Sequence, residues 1–296
     1  YGVKGIWLAV FHSVSAFCNA GFDLMGANVQ YSSLTAYAGN ALVNTVIMLL
    51  IVIGGVGFLT WEDIKTNRWH FRAYRMQSKV ILSTTAILLV LPALFFYFAE
   101  FSRPEWASLS TGERLLGAMF QSVTPRTAGF NTLDLTKLSE VGRFIIILLM
   151  LTGGSPGSTA GGIKTVTMVV IVLFVAARAR GRNTVSVFKR TIPDSQVMDA
   201  MTIMLIMVGL AMFGAVFISA TSPVSFVDAA FEAVSALATV GITAGVTTSL
   251  SIPAQLLIIL YMYFGRVGVL TISLGFLMGD RAEERFRYAE TNLLIG

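Results

Sequence analysis

Three stretches of this 296-residue chain repeat one pattern, and their residue types point to chemistry done by the backbone. Residues 11–22, 120–130 and 231–242 each begin with Phe, contain Ser or Thr and a run of small residues, and reach one glycine followed by an apolar residue. The glycines are Gly21, Gly129 and Gly241, and a repeat of that length indicates a duplicated unit. In a membrane protein, a short helix that leads into a glycine loop is typical of an ion selectivity filter.

A filter of this kind replaces the water around a cation with backbone carbonyl oxygens, which must point at one axis. Glycine adopts the required dihedral angles without a clash of a β-carbon. The loops 18–22, 126–130 and 238–242 contain no acidic residue, so a carboxylate ring for divalent ions is not expected. The alternative is that each glycine only ends a helix. The predicted ion-binding residues are Asn19, Ala20, Gly21, Thr127, Ala128, Gly129, Thr239, Val240 and Gly241.

The composition is that of a membrane protein, with 55% apolar and 12% charged residues, about half the charged fraction of a soluble domain. Shorter segments, at 3–17, 111–124 and 226–237, precede the glycine loops and predict re-entrant half-helices. We therefore predict an all-α membrane protein made of repeated units: spanning helix, half-helix, filter loop, spanning helix. Runs long enough to cross about 30 Å of hydrocarbon are 40–61, 80–99, 142–177, 201–220 and 252–278.

The chain divides into a partial unit at 1–79, full units at 80–197 and 198–282, and a tail at 283–296. Lys and Arg concentrate in the loops after the first and third spans and in the tail, which predicts that these segments, including the C-terminus, are cytoplasmic. All three glycine loops would then enter the membrane from outside. The net charge of +5 therefore reports orientation and contact with lipid rather than binding of nucleic acid.

Residues 153–162 interrupt the third apolar run with five glycines and a proline, which a regular helix does not accommodate. Gly153 to Gly157 also fit the G-x-S-x-G motif of serine hydrolases, with Ser155 as nucleophile. That alternative needs a histidine partner, and the chain has only His12 and His70. A near match to a phosphate-binding loop has the wrong spacing. The chain is not expected to be an enzyme or to bind a cofactor.

Several isolated residues carry weaker expectations. Lys164 follows the interruption, and a cation at membrane depth is a functional candidate unless it extends to the surface. Arg126 is expected to support its filter loop from behind, since a cationic side chain that lines the pore would oppose the entry of a cation. Cys18 is expected to be a small packing residue, and Asp63 a solvated residue at a helix end.

The glycine loops, read together, resemble the pore loops of the Trk/Ktr/HKT potassium transporter family. The resemblance covers essentially the whole chain and is closest to the membrane subunit of the bacterial Ktr system. It implies uptake of K⁺ across the plasma membrane through a pseudo-fourfold, single-file pore; a related Na⁺/K⁺-permeable transporter is the alternative. That family has four filter loops, so one more unit is expected upstream of Tyr1.

The resemblance also implies an intramembrane gate below the filter, to which Arg266 in the last span would contribute. It implies a homodimer, on which the apolar end at 292–296 would pack, and a cytoplasmic ring of nucleotide-binding (KtrA-like) regulatory subunits. The gate residues implied are Gly153, Gly154, Ser155, Pro156, Gly157, Ser158, Thr159, Ala160, Gly161, Gly162, Lys164 and Arg266.

Overall fold

The computed structural model describes residues 2–27, 29–68 and 70–267 and is mostly helical within them. A two-residue hairpin, β1 (Ser186–Val187) with β2 (Arg190–Thr191), lies between α7 and α8. The helices are α1 (Gly2–Phe17), α2 (Ala41–Val56), α3 (Phe58–Asn67), α4 (Met76–Phe95, continued by a π-helical turn at Phe96–Glu100), α5 (Thr111–Val123), α6 (Glu140–Leu151), α7 (Thr165–Ala179), α8 (Asp194–Thr221), α9 (Phe226–Leu237) and α10 (Ile252–Val267).

Two of the described helices are long and apolar enough to cross a membrane alone, Met76–Glu100 and Asp194–Thr221. They contain the predicted spans 80–99 and 201–220. The predicted span 142–177 is split into α6 and α7 by the interruption, as expected. The last predicted span, 252–278, is described only as far as Val267, and the tail with its predicted dimer contact lies outside the described residues.

The apolar run predicted to span at 40–61 forms two helices rather than one. Helices α2 and α3 meet at a bend of 96°. Gly57 at the bend has φ of 94°, a region open to glycine but not to most residues, and the backbone N–H of Phe58 donates to the carbonyl of Gly157, 3.0 Å away. The helix therefore breaks where it meets the interruption in the third run.

Helices occupy all three predicted half-helix positions, and the sequence supplies their starts. The hydroxyl of Ser110 accepts from the backbone of Glu113 while the Glu113 carboxylate accepts from the backbone of Ser110, which caps α5. The hydroxyl of Ser225 caps α9 in the same way. Helix α9 is the most enclosed half-helix, since α6, α8 and α10 all pack against it. The phenylalanines that open the second and third motifs, Phe120 and Phe231, are fully buried.

Two other expectations fail. Asp63 is only 4% exposed and accepts hydrogen bonds from the Ser78 hydroxyl (2.5 Å) and the backbone N–H of Arg75 (3.1 Å), so it joins α3 to the start of α4 rather than facing water. Cys18 is exposed rather than packed. The contacts that bury Asp63 come from the next helix and its start, which a local reading of the sequence does not contain.

Candidate functional site

The three glycine loops have the same unusual backbone. In each, the residue two places before the glycine has positive φ: Asn19 at 49°, Thr127 at 64° and Thr239 at 56°. The glycines follow at 72°, 84° and 87°. Such alternation turns successive carbonyl groups to the same side of the chain, which is the arrangement a carbonyl-lined ion path requires.

The positive φ at Thr127 and Thr239 is costly, because a β-branched side chain is rarely tolerated there. Conformations of this kind cost about 1–3 kcal/mol each and persist only where the surrounding structure enforces them. Thr127 and Thr239 hold equivalent positions in the second and third motifs, and Asn19 holds that position in the first. The fold therefore imposes the same backbone conformation on all three loops.

The loops lie side by side. A β-carbon at Gly21 would lie 2.5 Å from the carbonyl oxygen of Ala128, and one at Gly129 would collide with the carbonyl oxygen of Val240. Around Gly241, no atom of the described residues lies within 4 Å of that position. The first loop therefore contacts the second and the second contacts the third, while the corresponding side of the third is open.

Each loop is also held to its own half-helix by a hydroxyl near the helix end. Ser15 donates to the carbonyl of Phe22 (2.8 Å), Thr124 to that of Phe130 (2.5 Å) and Ser235 to that of Ile242 (2.6 Å). These carbonyls follow the three glycines directly. The Ser or Thr that recurs in the three motifs thus fixes the far end of each loop.

The interruption at 153–162 contacts all three loops. The N–H of Gly161 donates to the Thr127 hydroxyl (3.1 Å), and the hydroxyl of Thr159 donates to the carbonyl of Phe17 (3.1 Å) beside the first loop. A β-carbon at Gly161 would collide with the Thr239 hydroxyl in the third loop. The segment therefore lies against the Thr127 and Thr239 end of the loops, the end nearest their half-helices.

The backbone of this segment is supported by other parts of the protein, as irregular chain at membrane depth must be. Gly153 donates to Ile163 (2.9 Å) across the base of the segment, while Ser155 donates to the carbonyl of Gly55 (3.0 Å). Thr159 donates to the carbonyl of Gly54 (3.3 Å). Carbonyls near the broken end of α2 thus act as acceptors for the interruption in the third run, so the two breaks fit together.

Lys164 and Arg266 border one cavity of about 580 Å³ beneath the interruption. The Lys164 ammonium donates to the carbonyl of Ala160 (2.7 Å), and Gly265 beside Arg266 packs against the carbonyl of Leu237 at the base of the third loop. No acidic residue lines this cavity, and neither cation forms an ion pair within the described residues. The cavity wall therefore carries two uncompensated positive charges.

Ser155 lacks the surroundings of a nucleophile. Its side chain is fully buried and accepts a hydrogen bond from the Thr165 hydroxyl (3.3 Å). Both nitrogens of the His12 ring are engaged elsewhere, with Leu8 and Leu24. Within the described residues, no group of three or more His, Cys, Asp or Glu side chains could hold a metal ion.

Arg126 is 5% exposed, and its guanidinium points to the Thr85 hydroxyl on α4 at 3.4 Å. It borders a small void that is also lined by Asn19, Gly55 and Gly154.

Two features of the site were not anticipated from the sequence. The break at Gly57 had a visible signal, because three of the four residues at 54–57 are glycines. The other is the second position of each motif, occupied by His12, Gln121 and Glu232, whose side chains are all buried. Alignment of the three motifs brings these polar residues into register, so their equivalence could have been found.

Comparison with known proteins gives consistent results. A family model described as "TrkH: Cation transport protein" matches residues 1–285. The potassium/sodium uptake protein NtpJ of Enterococcus hirae is 37% identical over 99% of this chain and 65% of its own length. Ktr system potassium uptake protein B of Bacillus subtilis is 34% identical over 96% of this chain and 62% of its own length. The chain therefore spans somewhat less than two thirds of these relatives.

The fold is also similar to a solved one. The crystal structure of the potassium transporter TrkH from Vibrio parahaemolyticus matches 93% of this chain with a TM-score of 0.72, at 17% sequence identity and over 58% of that protein. This likeness establishes the arrangement of helices.

Proposed function

The chain belongs to the TrkH family of cation transport proteins, a family of membrane transporters rather than enzymes, and we propose that it forms most of a K⁺ uptake pathway. In this proposal K⁺ moves in single file past the carbonyl groups of Asn19–Gly21, Thr127–Gly129 and Thr239–Gly241. The observation that carries the proposal is the backbone itself. Three loops share one alternating pattern of φ, and each of the first two contacts the next.

The pore is proposed to be pseudo-fourfold. The first and second loops each face the next, and the third loop has an open side among the described residues. A fourth loop of the same kind on that side would complete a ring of carbonyls. The repeated units at 1–79, 80–197 and 198–282 would then supply three of its quarters.

Residues 153–162 are proposed to be the gate. They touch every described filter loop, and a cavity with two uncompensated cations lies beneath them. Lys164 and Arg266 would oppose passage of K⁺ while the segment lies across the path. Withdrawal of the segment would require breaking its hydrogen bonds to Thr127, Gly54 and Gly55.

The ion passed could also include Na⁺. The similar protein of Enterococcus hirae is named a potassium/sodium uptake protein, and another relative is a potassium uptake protein of the Ktr system. We propose that K⁺ is the main ion carried, and that the chain forms a homodimer with a cytoplasmic KtrA-like ring of regulatory subunits. We place the protein in the plasma membrane, with its C-terminus in the cytoplasm.

The experiment is uptake of radioactive Rb⁺, as a K⁺ substitute, into liposomes that contain the purified transporter. The proposal predicts that the liposomes take up Rb⁺. External K⁺ should suppress this uptake, and external Na⁺ should leave it nearly unchanged. Equal suppression by Na⁺ would favour the Na⁺/K⁺-permeable alternative, and the absence of uptake in folded protein would contradict both.

A further inference from the structure

We propose that His12 and Glu232 are positioning residues, which hold two filter loops in shape from behind. Each lies at the second position of its motif, on the half-helix that precedes the loop. Each accepts a hydrogen bond from the backbone N–H three residues after the filter glycine, Leu24 in one case and Ala244 in the other. This inference rests on the proposed function of the loops as a filter.

The geometry at His12 specifies a neutral imidazole. Its Nδ1 lies 2.6 Å from the carbonyl oxygen of Leu8, and the N–H of Leu24 points at Nε2 from 3.3 Å. Since a carbonyl only accepts, Nδ1 carries the proton and Nε2 offers the lone pair. The ring also lies 6.3 Å from that of Phe130, which follows Gly129, so His12 sits between two loops.

Glu232 makes the equivalent contact with different chemistry. One carboxylate oxygen accepts from the backbone of Ala244 (3.0 Å) and the hydroxyl of Thr243 (2.5 Å), and the other from the hydroxyl of Thr247 (2.7 Å). Two unlike side chains therefore supply an acceptor at the same place in two motifs. What the two contacts share is a lone pair directed at the loop backbone.

The middle motif provides an internal control. Gln121 occupies the same position and is fully buried, yet neither polar atom of its side chain has a hydrogen-bond partner among the described residues. The hydroxyl of Thr132, three residues after Gly129, is likewise without a partner there. This loop is held instead by Ser33, whose hydroxyl accepts from the N–H of Asn131 (3.0 Å).

The contact of His12 with Leu24 is not shared with a charged group among the described residues. Asp23 binds the N–H of Met25 (2.8 Å), α2 carries no charged residue, and Lys4 lies two turns earlier on α1. On the neighbouring loop, Arg126 points to Thr85 on α4. Removal of the Nε2 lone pair would therefore leave the N–H of Leu24 without its acceptor.

The test compares the wild-type transporter with two variants, His12→Gln, whose side-chain oxygen can accept from Leu24, and His12→Leu, which offers no acceptor. Protection of residues 20–25 against hydrogen exchange should fall about fivefold in His12→Leu and much less in His12→Gln. The ratio of K⁺ to Na⁺ uptake should fall in the same order. Equal protection in the two variants would overturn the proposal.

The two readouts separate this inference from the proposed function. Hydrogen exchange reports the contact of His12 with Leu24 whether or not ions move, and it can be followed in both variants. Lost protection in His12→Leu, together with a folded wild-type protein that takes up no Rb⁺, would count against the filter alone. Rb⁺ uptake by the wild type with unchanged protection in His12→Leu would count against the positioning role. Glu232→Met should reduce K⁺/Na⁺ discrimination more than Gln121→Met, and equal effects would also overturn it.

Discussion

At the residue scale, the proposed filter depends on hydroxyl side chains that hold its backbone. Ser15, Thr124 and Ser235 fix the ends of the loops, and Thr127 binds the proposed gate segment through Gly161. In the proposal the carbonyl groups bind the ion, while these hydroxyls fix the loops that carry the carbonyl groups. This division explains why the loops vary in sequence outside the glycine and still share one backbone.

Thr127→Val tests the contact between filter and gate. Valine keeps the shape and β-branching of threonine but leaves the N–H of Gly161 without its acceptor. Loss of one hydrogen bond of about 1 kcal/mol should raise the fraction of open gates, and thus Rb⁺ uptake without a regulatory subunit, about fivefold. Thr127→Ser keeps the hydroxyl and should behave as the wild type. Equal uptake by the valine and serine variants would contradict the role of this bond.

At the element scale, the half-helices must be held by neighbouring units, because each is too short to be stable alone. Arg143 on α6 binds Asp228 near the start of α9 (2.6 Å) and the carbonyl of Thr136 (2.8 Å). The side chains of Arg143 and Asp228 are 19% and 15% exposed, so the pair is shielded from solvent screening. This ion pair connects the first full unit, 80–197, to the half-helix of the third glycine loop.

Arg143→Met should therefore destabilise the protein by about 3 kcal/mol, since it leaves the Asp228 carboxylate mostly buried and unpaired. Replacing Asp228 by Asn as well removes that charge, so the double variant should recover much of the loss. Thermal unfolding in detergent measures both. A double variant less stable than Arg143→Met would show that the pairing is not the source of the effect.

The sequence predicted the elements that depend on residues within the same segment of the chain. Half-helices followed by glycine loops, and the interruption at 153–162, are readable because glycine and proline act on their own segment. Three-dimensional packing decides the features that were not predicted. These are the break at Gly57, the burial of Asp63 and the exposure of Cys18. The docking of Gly54 and Gly55 against the interruption links segments about 100 residues apart, which no local pattern encodes.

At the scale of the whole molecule, three similar units differ where they meet the gate. Their filter loops share one geometry, but only the third apolar run carries the long interruption, and α2 breaks to receive it. An ion path lined evenly by carbonyls can then be closed by one segment from one unit. The asymmetry lies below the filter, where Lys164 and Arg266 border the cavity.

The most direct test of the filter is Gly129→Ser, because Gly129 has φ of 84° and lies against both neighbouring loops. The same substitution at Gly209, where no described atom lies within 4 Å of the added carbon, is the matched control. We expect the ratio of K⁺ to Na⁺ uptake to fall about tenfold in the first variant and to stay at the wild-type value in the second. A folded Gly129→Ser protein with the wild-type ratio would contradict the assignment of these loops as the filter.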